Sequence, residues 1–312
     1  MACARLELAI KKESIHMQLL SFTDNTLPSP RIEVGLKVGE GVVSLHRSLP
    51  PSLWQTHEGM VDLIARWAEL QAAVAALAQH PPQLRLADVH VLAPVPRPDK
   101  TLAIGLNYLA HVQERIVGES RSVPEHQVWF PKLANAIHGP YDDIVLPKVS
   151  SSTDYEAELV AIIGKRCRHV AEADAAQVVF GYCVGNDVSV RDWQKRTSQW
   201  TLGKSFDTHA PMGPWLTTAD EVGDPHALNM QCWVNGELRQ SSHTNLMIHN
   251  VWSQIALLTQ AMTLEPGDVI FTGTCSGVGA AFDPPRFLRD GDVVNIAIER
   301  LGHIQATCRQ EV

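Results

Sequence analysis

No stretch of this chain reaches the roughly eighteen uninterrupted apolar residues of a membrane span, and its first residues lack the long apolar core of a secretory leader. Neither a membrane partner nor export is therefore expected. Basic runs are also missing, and a net charge of -8 with a pI near 5.9 argues against a nucleic-acid face or an anionic membrane surface. Six cysteines (Cys3, Cys167, Cys183, Cys232, Cys275, Cys308) lie scattered with no C-x-x-C spacing. That removes zinc ribbons and thiol redox motifs and fits a reducing, cytoplasmic location. Repeats and low-complexity tracts are absent. What remains is an ordinary globular composition, 312 residues with 45% hydrophobic and 19% charged, long enough for one large domain and a smaller one. The expected partners are small molecules or a second copy of the chain.

Residues 1–16 mix Glu, Lys and Arg ahead of the first strand pattern and read as a dispensable extension. Short β-prone runs follow at Met17 to Phe22, Ile32 to Val38 and Gly41 to Leu45, then one helical run from Met60 to Ala78. This predicts a small α+β domain over 17–95. Alternate prolines in Ala93-Pro94-Val95-Pro96-Arg97-Pro98 block helix and favour an extended connector. The second domain, 96–312, begins there. In it, Asn107 is placed to cap a helix carrying His111 and Glu114, which stand three apart and share a face. Beyond Gln127, β-prone segments alternate with Gly/Pro turns, and only Asn250 to Met262 reads as a substantial helix. The fold class is α+β and β-rich, a rolled mixed sheet rather than a doubly wound one.

Asp154-Tyr155-Glu156-Ala157-Glu158 opens the apolar run Leu159 to Ile163, and strand alternation points Glu156 and Glu158 to one face. Two acids on one face either lie wet at an edge or, if buried, neutralise or share a cation. Both readings are open from this stretch alone. Asp187, at the end of the apolar strand Val178 to Asp187, is a third candidate, although a strand-end Asp is more often a turn or helix cap. Three carboxylates without His or Cys companions suit a hard cation, magnesium first, with manganese or calcium next and zinc behind.

Several blocks then recur in a familiar order over roughly residues 101–305. They are Ile104-Gly105-Leu106-Asn107-Tyr108 with His111 and Glu114, Gly139 to Pro147, Asp154 to Lys165, and Gly185-Asn186-Asp187-Val188-Ser189-Val190-Arg191-Asp192. After them come Gly203-Lys204-Ser205-Phe206-Asp207-Thr208, Pro211 to Trp215 and Glu265 to Gly279. In these the chain resembles the fumarylacetoacetate hydrolase family, including the N-terminal domain that many members carry. The resemblance implies that Glu156, Glu158 and Asp187 bind the metal and that His111 and Glu114 form an acid–base pair on a short lid helix. It further implies that Lys204 stabilises developing negative charge, that Lys132, Gln194 and Thr274 touch the oxoacid end of the substrate, and that the protein is a homodimer. The expected activity is metal-dependent hydrolysis of a carbon–carbon bond in a β-diketo acid such as an acylpyruvate or diketo sugar acid. The alternative is decarboxylation or tautomerisation of an oxaloacetate-like 2-oxo acid. From another class, an inactive ligand-binding protein with a structural metal would not need His111, Glu114 or Lys204. Two positions depart from the family pattern: Leu133 and Cys275 stand where proline is common. A nucleophilic Cys275 is disfavoured because no base is evident beside it.

Overall fold

Period-2 alternation is realised without exception along the strand Ala157–Ile163 of the computed structural model, which describes residues 17–55, 59–114 and 122–312. Ala157, Leu159, Ala161 and Ile163 enter one apolar core, whereas Val160 and Ile162 enter another on the opposite face. Both faces are covered, so every residue of this strand is buried.

The strand lies near the centre of a mixed sheet of twelve strands. On one side it pairs antiparallel with Val179–Asn186, which continues to Ala210–Thr218 and then to Gln18–Asp24, Ile32–Val38 and Gly41–Ser44. On the other side it meets Val269–Thr274, whose neighbour Thr101–Gly105 runs parallel and leads to Val128–Pro131. The N-terminal strands thus extend this sheet, and Leu19, Val34 and Leu36 share a core with Val160, Ile162 and Phe271. A second, five-stranded sheet (Glu237–His243, Asn229–Val234, Val293–Ile298, Gly302–Gln310, Ile144–Leu146) packs on the opposite face through Met230, Cys232, Ile296 and Ile304. The expected β-rich mixed sheet is what forms.

Two local expectations need correction. The run from Met60 to Ala78 is two helices, Met60–Ala65 and Trp67–Leu77, because the backbone at Arg66 leaves helical geometry (φ -110°, ψ 15°). The break lets Met60, Leu63 and Ile64 of the first helix and Leu70 and Val74 of the second all bury against the same core. Asn107 is not a helix cap: the helix is only Leu109–Val112 with Tyr108 at its cap position. Instead the Asn107 amide donates to the carbonyls of His249 and Thr272 at 2.9 and 2.8 Å and accepts from the His249 N–H at 2.8 Å. It pins the chain entering the helix to the neighbouring strand. By contrast, the helix expected at Asn250 to Met262 forms over Val251–Ala261, with the Asn250 side chain accepting from the Ser253 N–H. The expected extension, residues 1–16, lies outside the described residues.

Candidate metal centre and active site

Antiparallel register assembles the three acids. Ala157 is paired with Asn186, so Glu156 and Asp187 stand opposite each other one step further, with the Asp187 N–H donating to the Glu156 carbonyl at 2.9 Å. Glu158 shares the face of Glu156. Ligand oxygens of Glu156, Glu158 and Asp187 all lie within 4.8 Å of one another, and the three side chains are buried. With Glu156 at 4% and Glu158 at 1% exposure, the wet-edge reading is gone.

Buried carboxylates in such proximity need compensation. The Lys204 ammonium lies 2.7 Å from Glu156 Oε2 and 2.6 Å from Asp187 Oδ2, and the Lys132 ammonium lies 2.5 Å from Asp187 Oδ1. Arg191 bridges backwards, with Nη1 2.7 Å from Glu156 Oε1 and Nε 2.9 Å from Asp154 Oδ2. Burial opposes ionisation of Glu156, but the charges of Lys204 and Arg191 overcome it and hold its carboxyl below the usual range. Lys204 is likewise disfavoured as an ammonium by burial and raised on balance by Asp187 and Glu156. Glu158 differs. Burial, then the negative charges of Asp187 and Glu156, push its carboxyl well above the ordinary value, against Lys204 and a 2.7 Å bond from the Gly273 N–H. Four acids (Asp154, Glu156, Glu158, Asp187) face three bases (Lys132, Arg191, Lys204), so one negative charge is left over.

That donor set fits a hard divalent cation. Oxygens on one octahedral ion stand roughly 3 Å apart when adjacent and roughly 4 Å when opposite, within the span of this cluster. Carboxylate oxygens that already accept one hydrogen bond keep a second lone pair for a metal. Residues Glu156, Glu158 and Asp187 would hold the ion, in keeping with the expectation for a metal-binding acidic triad.

His111 and Glu114 come together as a pair, His111 Nδ1 lying 2.6 Å from Glu114 Oε2. The other Glu114 oxygen accepts from the Gly277 N–H at 2.5 Å. Gly277 is needed there, since φ is +105° and a Cβ would stand 2.0 Å from the Arg239 carbonyl oxygen. Thr274 Oγ1 donates to the Ala157 carbonyl at 2.9 Å, and Gln194 Oε1 accepts from Arg191 Nη1 at 3.2 Å. A narrow cavity joins these groups, lined by Glu156, Lys204, His111, Arg191, Gln194 and Thr274 with Trp200 and Leu106. Its volume of about 20 Å³ has room for roughly one water. A larger groove of about 360 Å³ beside Trp67 and Phe180 gathers no comparable set of acids and bases, so chemistry rather than volume marks the site.

Comparison with known proteins places this geometry. Residues 100–309 match the family described as Fumarylacetoacetate (FAA) hydrolase C-terminal. The chain belongs to the fumarylacetoacetate hydrolase family. It is 43% identical over 291 residues to "Oxaloacetate tautomerase Fahd2a, mitochondrial" of Rattus norvegicus, covering 93% of this chain and 90% of that protein. To "Oxaloacetate tautomerase FAHD2A, mitochondrial" of Homo sapiens it is 44% identical over 291 residues, covering 92% and 90%. Among solved structures, the maleylpyruvate hydrolase of Sphingobium sp. SYK-6 in complex with manganese (II) ion and pyruvate superposes with a TM-score of 0.78 at 34% identity, covering 95% of this chain and all of that one.

Within this family member, Lys132 lies outside the narrow cavity, behind Asp187. Its ammonium is buried, its donors reach Asp187, the Lys204 carbonyl and the Val188 carbonyl, and it does not line the cavity. These bonds tie the Asp187 carboxylate to the backbone at Val188 and Lys204. In the sequence, Arg191 and Asp154 are legible only as parts of motifs. The available signal was arithmetic: several acids bound for the interior demand bases, and Arg191 follows the short strand Ser189–Val190 that leaves Asp187. Cys275 is buried, and burial pushes its thiol up to about 12, which leaves it without nucleophilic character.

Proposed function

We propose that this protein is a divalent-metal-dependent tautomerase that interconverts the keto and enol forms of oxaloacetate or a closely similar short 2-oxo acid. The observation that carries this reading is likeness at 43–44% identity, over about nine-tenths of both lengths, to proteins named oxaloacetate tautomerases. The hydrolase expectation becomes the second reading. It is favoured by the likeness to maleylpyruvate hydrolase and by a His–Glu pair of the kind that activates water. Of the expected ions, magnesium first and manganese or calcium next, manganese is the one held with pyruvate by that neighbour.

The residues present suffice for proton transfer. Glu114 accepts from His111 Nδ1, which fixes the tautomer and leaves His111 Nε2 as the proton acceptor. His111 takes a proton from C3 of oxaloacetate and returns it to the C2 oxygen, or runs the reverse. Lys204 has two donors spent on Glu156 and Asp187 and a third to turn toward the oxygen where charge develops. Arg191 Nη2 is buried with no hydrogen-bond partner among the described residues, a donor suited to a substrate carboxylate. A divalent cation held by Glu156, Glu158 and Asp187 would supply positive charge that favours the enolate over the ketone.

The test is the decay of enol-oxaloacetate absorbance with magnesium or manganese present, alongside an acylpyruvate cleavage assay. Wild type should accelerate tautomerisation, and His111→Ala should lose about 10²- to 10⁴-fold while metal affinity stays within a few-fold. Absence of acceleration by metal-loaded wild type refutes the reading, and acylpyruvate cleavage in its place establishes the second. The location is part of the same proposal: intracellular, with the relatives' names pointing to mitochondria rather than the cytoplasm first expected. All five described cysteines are free, in keeping with a reducing compartment. Pairing of two copies is also proposed, on the family alone.

A further inference from the structure

One buried acid lies outside both the metal triad and the proton-transfer pair yet contacts the structures that hold each. Asp154 Oδ1 accepts from the N–H groups of Gly279 at 2.7 Å and Tyr155 at 3.0 Å, and Oδ2 accepts from the Ala280 N–H at 3.0 Å and Arg191 Nε at 2.9 Å. Its four partners are all donors, and the side chain is fully buried. Arg191 goes on to Glu156, a metal ligand. Gly279 and Ala280 belong to the turn whose Gly277 N–H is given to Glu114. The next residue grips the same turn from its other side: the Tyr155 hydroxyl donates to the Gly277 carbonyl at 3.0 Å. Asp154, Tyr155 and Glu156 are consecutive, so one short piece of chain holds the metal site at one end and the partner of the base at the other.

We propose that Asp154 and Tyr155 are positioning residues that register the 277–280 turn against the metal cradle, so that the Gly277 N–H latches Glu114 and keeps His111 over the site. The proposal rests on the reading of His111 and Glu114 as the acid–base pair. The latch has a single N–H donor facing one carboxylate oxygen, and displacement of that N–H by an ångström breaks it. Without the latch, the helix Leu109–Val112 is retained by fewer contacts, since it is a single turn that cannot persist by its own hydrogen bonds.

Asp154→Asn tests this. Whichever way the amide is turned, its NH₂ faces two donors where an acceptor stood. The readout that separates positioning from general weakening is amide hydrogen exchange on the metal-loaded, substrate-free protein. Exchange in peptides covering 106–114 and 276–281 should quicken at least tenfold, with the central strands Ala157–Ile163 and Val179–Asn186 unchanged, and kcat should fall at least tenfold with KM within about threefold. Tyr155→Phe, which leaves the buried charges intact, should quicken exchange in 106–114 by a smaller factor and decides the matter alone if Asp154→Asn does not fold. Exchange in 106–114 equal to wild type in Tyr155→Phe and in folded Asp154→Asn overturns the proposal, and so does an increase spread evenly over the central strands. Because exchange needs no substrate, a wild type inactive on oxaloacetate that still shows the predicted pattern defeats the proposed function while the positioning role stands.

Discussion

Glu158→Gln should leave the metal-free protein at least as stable as wild type while removing most of the stability gained from metal. The two halves have opposite causes. Without metal, Glu158 is the acid that lacks a cation of its own: burial and the charges of Asp187 and Glu156 raise its carboxyl, whereas Glu156 and Asp187 each hold ammonium or guanidinium partners. A raised folded pKa means that the folded state binds more protons than the unfolded chain above the ordinary value of 4.5, so this group's contribution falls as pH rises through the window from 4.5 to the raised value. The amide does not titrate, and metal-free Glu158→Gln should gain on wild type as pH rises through that window. With metal the sign inverts. Loss of one carboxylate takes the cluster from one surplus negative charge to none, and an amide oxygen is a poorer ligand for a hard ion. Changes even outside the ligand shell weaken metal binding by about 10- to 100-fold, so the upper figure is a fair minimum here. At a metal concentration of about 100 times the wild-type Kd, the stabilisation is about 2.7 kcal/mol, and a hundredfold weaker site retains only about 0.4 kcal/mol. At roughly 2 °C per kcal/mol for a chain of this size, the variant forfeits about 5 °C of metal-induced Tm shift. Thermal melts titrated with magnesium and with manganese, at several pH values, read both halves. A metal titration in Glu158→Gln that overlays wild type would refute Glu158 as a ligand.

Arg191→Met should destabilise the metal-free protein by about 3–5 kcal/mol, since it leaves Asp154 and Glu156 buried without their guanidinium. The same change removes a cation that competes for Glu156, so the metal-induced rise in Tm should exceed that of wild type, and a smaller rise would contradict the electrostatic account. His209 is nearly fully buried with Nε2 on the Val145 carbonyl at 2.9 Å, and burial holds its imidazole down at about 3. A depressed histidine gives stability that is complete above the unfolded value of 6.5 and lost as pH falls toward 3. In urea melts between pH 7.5 and 4.5, His209→Gln should therefore lose less stability on acidification than wild type, and parallel pH profiles would count against the assignment.

What the sequence disclosed of this site was what a strand's own periodicity carries. Glu156 and Glu158 share a face because alternate residues must, and the apolar run behind them requires a buried strand. Periodicity is silent about who stands opposite. Asp187 reaches Glu156 through antiparallel register, Lys132 reaches Asp187 across 55 residues, and Glu114 meets Gly277 across 163. Asn107 illustrates the resulting error. Locally it is a good helix cap, but the His249 N–H takes the side-chain oxygen a cap would use, while the carbonyls of His249 and Thr272 take its amide N–H groups. The break at Arg66 was equally illegible, since helix propensity and the apolar spacing of Met60, Leu63, Ile64, Leu70 and Val74 both run through it.

Charge was the one long-range property that did not depend on knowing the pairing. Once the strand is buried, the acids of the Asp154–Glu158 stretch and Asp187 must be matched by bases inside the protein, and Lys132, Arg191 and Lys204 are the three that arrive. They do not suffice. The shortfall falls on Glu158, whose neighbours include no cation at hydrogen-bonding distance among the described residues, and a divalent ion held by Glu156, Glu158 and Asp187 would reverse it to a surplus of one positive charge. Under the proposed function, that positive surplus would complement a dianionic substrate whose enolate gathers further negative charge.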